Sequence, residues 1–161
     1  MAWSRAERFL FTSEVDQPDV LFKLLENEKQ ISSRTVCGST LLHICCLHNR
    51  PLCMRLLLEL GAEVNAQNEY GETPLHWAAK SDLPILCAIL IANGADVKTE
   101  DYDGNIPLHW ACEHNQAAVV KLLLSAHSEN PENLDGETPL YLAVENGYKD
   151  IIQEFANIPG L

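Results

Sequence analysis

The feature that most constrains this chain is a short phrase that recurs four times, with its glycines spaced by 33, 33 and 32 residues. A unit of this length that consists of a turn and two helices cannot bury its apolar face alone, so neighbouring copies must stack. The period therefore predicts a one-dimensional stack whose function lies on its surface. The copies begin at Gly38, Gly71, Gly104 and Gly136 and read GSTLLHICC, GETPLHWAA, GNIPLHWAC and GETPLYLAV.

Residues 68–100 form the clearest copy and predict two helices. Thr73 can cap the first helix, and Pro74 suits the first helical position because its missing N–H is not needed there. Pro84 opens a second helix, and Gly94 is placed to end it in a left-handed conformation. The apolar filling of this second helix is predicted to come from Ile85, Ile89, Leu90 and Ile91.

These patterns resemble the ankyrin-repeat family. The family's string of turn, TPLHxAA helix, second helix and GAxVN loop is matched by residues 71–79 with 94–97, and again by 38–46 with 61–65. The resemblance covers about residues 4–158. It implies an all-α fold, an ankyrin-repeat solenoid of stacked helix-turn-helix units with β-turn finger loops.

A fifth, divergent repeat precedes the four obvious ones. Pro18 lies 33 residues before Pro51, and Ser4 with Glu7 three residues later gives a capping-box pattern for a helix at the start. The length of 161 residues is typical of one domain. We therefore expect a single ankyrin-repeat domain over residues 1–161, with repeats at approximately 2–34, 35–67, 68–100, 101–132 and 133–161.

The fourth repeat departs from the pattern. Ile106 replaces the capping Thr, which costs about 1 kcal/mol unless Asn105 caps the helix instead. His127 stands where earlier repeats have glycine, and one residue is missing before Gly136. The loop 125–134 is therefore either an irregular finger that contributes to binding or the product of sequence drift, and we favour drift.

The chain is strongly acidic, with 23 Asp and Glu residues against 11 Lys and Arg residues and a net charge of −12. Nucleic acids and anionic lipids are bound through Lys and Arg, so the composition argues against both a nucleic-acid partner and a membrane. Basic segments of other proteins are instead attracted. The alternative is that the acidic surface serves solubility alone.

Several features indicate a reducing, intracellular compartment, either the cytoplasm or the nucleus. No apolar stretch approaches the roughly 20 residues that a membrane span requires. The first twelve residues carry charges and lack a signal-peptide pattern. The six cysteines include no CxxC pair, and unpaired thiols suit a reducing compartment. Five of them fall on predicted core positions, and only Cys37 is expected to be exposed.

No catalytic, metal or cofactor site is predicted. His43, His76 and His109 recur every 33 residues, but a step of about 8–10 Å between stacked helices keeps their rings too far apart to share a metal ion. The resemblance implies that these histidines hydrogen-bond the turns. A nucleophilic pair of Cys37 with His48 has no third orienting group or oxyanion hole in the pattern. We therefore expect that the chain is not an enzyme.

Trp77 and Trp110 also recur in register, and a stacking platform for bases is one interpretation. The same position holds Ile44 and Leu142 in other copies. We therefore interpret the two tryptophans as framework.

The resemblance implies a binding surface on the concave face, which combines the finger tips with the exposed side of the first helices. Its residues are mostly acidic, with two tyrosines as candidate anchors for a basic, partly extended segment of another protein. We expect the chain to bind it as a monomer. The predicted partner-binding residues are Glu69, Tyr70, Glu72, Lys80, Ser81, Glu100, Tyr102, Asp103, Asn105, Glu113, His114, Asp135 and Glu137, and the face extends to Cys37, Ser39, Leu47, His48, Leu134 and Glu145.

Two functional classes remain open. The leading one is a non-enzymatic protein–protein interaction module that acts as an adaptor, scaffold or inhibitor. The alternative is a substrate-recruiting or ligand-sensing ankyrin domain of a larger enzyme, channel or effector protein. In either class, Asn65 in its GAEVN loop resembles the finger-loop asparagines that an oxygen-dependent asparaginyl hydroxylase modifies.

Overall fold

The computed structural model describes residues 4–25 and 31–158, and within them ten α-helices form five pairs. The ends of the predicted domain at residues 1–3 and 159–161, and residues 26–30 of the first predicted repeat, lie outside the described residues. The helices are α1 Arg5–Thr12, α2 Pro18–Leu24, α3 Leu41–Leu47, α4 Pro51–Glu59, α5 Pro74–Lys80, α6 Pro84–Ala92, α7 Pro107–Glu113, α8 Ala117–Ala126, α9 Pro139–Glu145 and α10 Lys149–Ala156.

The helix pairs stack in two layers. The first helices α1, α3, α5, α7 and α9 contact one another in order, and the second helices α2, α4, α6, α8 and α10 do the same. Each second helix also packs against the first helix of its own pair. Residues 4–25 and 31–158 contain no strand, although Arg34 and Thr40 form an isolated antiparallel bridge. The predicted all-α solenoid is confirmed.

A β-turn precedes each of the helices α3, α5, α7 and α9 and forms a finger. Gly71 has a φ of +77°, and its N–H donates to the carbonyl oxygen of Asn68 at 3.1 Å. Backbone hydrogen bonds also join successive fingers, so each finger supports the next one. These bonds run from Glu69 N–H to the Cys37 carbonyl oxygen at 3.1 Å, from Tyr102 to Tyr70 at 3.0 Å, and from Leu134 to Asp103 at 3.0 Å.

Three buried histidines tie the first helices α3, α5 and α7 to the finger of the next repeat. Nδ1 of His43 accepts the backbone N–H of Thr40 at 3.1 Å, and Nε2 donates to the carbonyl oxygen of Glu72 at 3.0 Å. The imidazole is thus neutral, with its proton on Nε2. This confirms the predicted structural role of these histidines. The equivalent bonds join His76 to Thr73 and Asn105, and His109 to Ile106 and Glu137.

The buried face of α6 differs from the predicted one. Ile89 and Leu90 are buried as expected, but Ile85 is 67% exposed. Leu86 and Cys87 are buried instead. The reason is helical periodicity, because positions 86, 89 and 90 share one side of the helix and position 85 does not.

The first repeat has the predicted start. Ser4 caps α1 through its Oγ, which accepts the N–H of Glu7 at 3.1 Å, and the Glu7 carboxylate accepts the N–H of Ser4 at 2.6 Å. Asp16 then links this repeat to the second one. Its carboxylate accepts the N–H groups of Leu52 at 2.6 Å and Cys53 at 2.9 Å, at the start of α4. These bonds satisfy helix N–H groups that have no partner within the helix.

Asn105 does not cap α7. Its Oδ1 accepts a hydrogen bond from Nδ2 of Asn133 at 2.8 Å, so the side chain joins two fingers instead. Ile106 occupies the N-cap position, and its N–H donates to Nδ1 of His109 at 3.1 Å. The side chain of Ile106 is buried in the core. Core packing therefore replaces the hydroxyl that Thr supplies at this position of other repeats.

The irregular loop after α8 is fixed to the last repeat. His127 ends α8 with an extended backbone, at a φ of −161°, where Gly61 and Gly94 have left-handed conformations. Further along the loop, Oδ1 of Asn130 accepts the N–H of Leu140 at 3.0 Å, at the start of α9. The loop thus supplies a capping contact to α9, although its residues do not match those of the other repeats.

Candidate partner-binding groove

Two hollows share the side chain of Trp77, and their lining residues lie on the fingers and the first helices. Together they are called the groove here. The larger one, here called the aromatic hollow, has a volume of about 440 Å³. The smaller one, the apolar hollow, has a volume of about 290 Å³. The aromatic hollow is lined by Leu47, Glu72, Trp77, Lys80, Ser81, Trp110 and His114, and the apolar hollow by Phe11, Thr35, Val36, Cys37, Ser39, Ile44, Asn68, Tyr70 and Trp77.

Trp77 is held where the two hollows meet. Its Nε1–H donates to the Glu72 carboxylate at 2.7 Å, and the same carboxylate oxygen accepts Nδ2–H of Asn68 at 2.7 Å. The ring also forms an edge contact with His43, with centroids 5.3 Å apart. An acidic finger residue therefore fixes the orientation of the ring.

Trp110 is held in a similar way one repeat further on. Its Nε1–H donates to the Asp101 carboxylate at 2.9 Å. The ring stacks with His114 at a centroid distance of 6.4 Å, and the ammonium nitrogen of Lys80 lies 4.9 Å from the ring centroid. The ring thus already contacts a positive charge, as cation–π attraction favours.

The predicted partner-binding residues differ in their exposure. Nine are exposed, whereas four are half-buried: Glu72, Asn105, His114 and Glu137. The two tyrosines are the most prominent, with Tyr70 59% and Tyr102 67% exposed. The exposed set is Glu69, Tyr70, Lys80, Ser81, Glu100, Tyr102, Asp103, Glu113 and Asp135.

Only some of the predicted residues line the groove. Of the residues to which the predicted face extends, Leu47 lines the aromatic hollow, and Cys37 and Ser39 line the apolar hollow. Of the thirteen predicted partner-binding residues, the aromatic hollow contains Glu72, Lys80, Ser81 and His114, and the apolar hollow contains Tyr70. The other eight line neither hollow: Glu69, Glu100, Tyr102, Asp103, Asn105, Glu113, Asp135 and Glu137. The acidic residues among these eight therefore lie outside the lining of the groove.

The main residues that the sequence reasoning missed are the two tryptophans. The interpretation as framework is incomplete, because both rings are half-buried and line hollows. Ile44 and Leu142 are buried at the same repeat position. An indole is larger than either aliphatic side chain, so part of it extends into the groove. The signal in the sequence was the larger side chain of tryptophan at a repeat position that other copies fill with Ile or Leu. Phe11 and Val36 were also missed.

Thiols and metal ligands give no second site in the part of the chain that the structure describes. Cys37 is exposed, and the other five cysteines are buried. Burial raises the pKa of the Cys53 and Cys87 thiols to about 12. No group of three or more His, Cys, Asp or Glu side chains is arranged to hold a metal ion within residues 4–25 and 31–158. No helix among these residues has the length and apolarity needed to cross a bilayer.

The stacked helix pairs, turn fingers and groove define a helical-repeat solenoid protein. A family model described as ankyrin repeats (3 copies) matches residues 10–101 and 82–159. The chain therefore belongs to the ankyrin-repeat family. Ankyrin repeats are general protein–protein interaction modules, and the family is typically non-catalytic. A comparison with curated proteins gave no match.

Proposed function

We propose that this ankyrin-repeat protein is a non-enzymatic binding module whose concave face holds a basic, extended segment of a partner protein. The observation that supports this most is the groove itself, which has aromatic and apolar walls and the acidic residue Glu72 in its lining. Further acidic residues are exposed on the fingers. Apolar hollows provide contact area at which aromatic residues contribute most of the binding energy. The carboxylates attract and orient a basic chain.

The role of the acidic charges on the exposed finger tips is tested by reversing two of them. Glu69 and Asp103 are exposed on neighbouring fingers, whereas Glu72 holds Trp77 in place and is better left intact. The double variant Glu69→Lys, Asp103→Lys should lose at least about tenfold in affinity for its partner, because two attractive charges become repulsive. Affinity capture from the native cell extract, followed by titration of the captured partner, measures this effect.

A matched control separates the concave face from overall charge. Glu59 on α4 and Asp150 on α10 are exposed on second helices, so Glu59→Lys, Asp150→Lys makes the same charge change elsewhere. We expect this control to retain most of the affinity, and wild-type binding to weaken as salt is raised. Equal losses of affinity in the two double variants would contradict the proposed face. An affinity that does not change with salt concentration would contradict it as well.

We also propose Asn65 as a modification site. Its Nδ2–H donates to the carbonyl oxygen of Gly94 at 3.1 Å, and its Oδ1 accepts the N–H of Asp96 at 2.9 Å. The side chain therefore bridges two loops, and a hydroxylase must open this bridge to reach it. Intact-mass analysis after co-expression with an asparaginyl hydroxylase should show the gain of one oxygen atom. An Asn65→Ala control should not gain it, and an unchanged wild-type mass removes the proposal.

A further inference from the structure

The aromatic hollow already accommodates a positive charge. The ammonium nitrogen of Lys80 lies 4.9 Å from the centroid of the Trp110 ring, within the distance at which a cation is attracted to an indole face. Lys80 is exposed and is the last residue of α5. Its side chain is long and flexible, so it can leave the ring without any change in the fold. The ring is therefore available to a competing cation.

A carboxylate lies in the same hollow. Oε2 of Glu72 accepts two hydrogen bonds of 2.7 Å, from Nε1–H of Trp77 and from Nδ2–H of Asn68. These donors fix the carboxylate of Glu72, which lines the same hollow as both tryptophans. A guanidinium group can stack on an indole while its N–H groups pair with a carboxylate, whereas an ammonium group has no planar face for stacking. The pairing of rings and carboxylate thus suits arginine better than lysine.

We propose that the aromatic hollow receives an arginine side chain of the partner segment, which displaces Lys80 from Trp110 and pairs with Glu72. This inference rests on the proposed function, since it specifies how the concave face recognises a basic chain. Lys80 then acts as an internal competitor that occupies the site in the free protein. Binding exchanges one cation–π contact for another and adds the pairing with the carboxylate.

Two peptides of equal charge provide the first test. Hexa-arginine and hexa-lysine are titrated into the intact protein at low salt, and the indole N–H signals are followed by NMR spectroscopy. Hexa-arginine should bind at least about fivefold more tightly, because stacking and forked hydrogen bonds are added to the same charge. It should also shift the indole signal of Trp110, which is assigned from its disappearance in Trp110→Phe.

A charge-matched pair of variants tests the role of Lys80. Lys80→Met and Lys98→Met each remove one positive charge, but Lys98 lies outside the hollow and contacts Glu129 at 3.2 Å. Lys80→Met should raise the affinity for hexa-arginine at least about threefold more than Lys98→Met does. Circular dichroism of both variants checks that they are folded, which is expected because both positions are exposed.

The outcomes distinguish this inference from the proposed function. The arginine site is wrong if both peptides bind with equal affinity and strong salt dependence. It is also wrong if Lys80→Met and Lys98→Met change the affinity for hexa-arginine by the same factor. In both cases the proposed acidic binding face is retained. A Trp110 signal that does not move with bound hexa-arginine also overturns the site. If neither peptide binds at low salt, the proposed function fails together with the arginine site.

Discussion

Replacing Gly71 with Ala should lower the free energy of unfolding by about 3 kcal/mol. The φ of Gly71 is +77°, where a side chain costs roughly 1–2 kcal/mol. A Cβ at this position would also lie 2.6 Å from a ring carbon of Tyr102 and 2.8 Å from its backbone nitrogen. The backbone nitrogen cannot move without breaking its bond to the Tyr70 carbonyl oxygen, so the contact adds to the strain.

Gly136→Ala is the matched control for this substitution. Gly136 occupies the same position of its finger with a φ of +76°, but a Cβ there would meet no atom within 4 Å. Gly136→Ala should therefore lower the free energy of unfolding by only about 1–2 kcal/mol. Urea denaturation followed by circular dichroism gives both values. Equal losses in the two variants would show that contact between neighbouring fingers contributes little to stability.

The finger contacts also connect stability to the groove. Tyr70 lines the apolar hollow, and its carbonyl oxygen accepts the hydrogen bond from Tyr102 in the next finger. A displaced Tyr102 therefore loosens the position of Tyr70. Gly71 thus stabilises the stack and, through the same contacts, positions part of the groove.

Local rules account for the parts of the fold that the sequence predicted. Thr73 and Pro74 mark the start of α5, Pro84 starts α6, and Gly94 ends it with a φ of +90°. The capping box that Ser4 forms at the start of α1 could also be predicted from the sequence. Each signal depends on backbone conformation within a few residues, so it does not require knowledge of the neighbouring repeat.

The orientation of α6 was less predictable because its sequence, PILCAILIA, contains no polar residue to mark the outer face. Ile85 is as apolar as Leu86, and the packing of α6 against α4 and α8 selects the side of the helix that is buried. The tryptophans posed a related problem. Their repeat position faces the core in Ile44, but its boundary with the groove depends on side-chain size, which a repeat pattern does not encode.

The buried histidines should make the protein sensitive to mild acid. Burial away from water lowers the pKa of His43 from 6.5 to about 4 and also lowers the pKa values of His76 and His109. Protonation would also put a hydrogen on Nδ1 of His43, which accepts the N–H of Thr40 at the start of α3. The folded state therefore favours the neutral imidazole.

The direction of the pH effect follows from these pKa values. Above pH 6.5 both the folded and the unfolded chains carry neutral His43, so its contribution to stability is complete. As the pH falls below 6.5, the unfolded chain binds a proton before the folded chain does, and stability is lost until about pH 4. Between pH 7.5 and pH 5.0, His43 alone should account for a loss of about 2 kcal/mol. His76 and His109 act in the same direction.

The variant His43→Gln tests whether His43 causes this loss of stability at low pH. It should be less stable than the wild type at pH 7.5, because Gln cannot replace both ring hydrogen bonds, but its further loss on acidification should be smaller by about 2 kcal/mol. Urea titrations at the two pH values measure both proteins. An identical pH dependence in His43→Gln and the wild type would mean that carboxylates, rather than the histidines that link the fingers, cause the acid sensitivity.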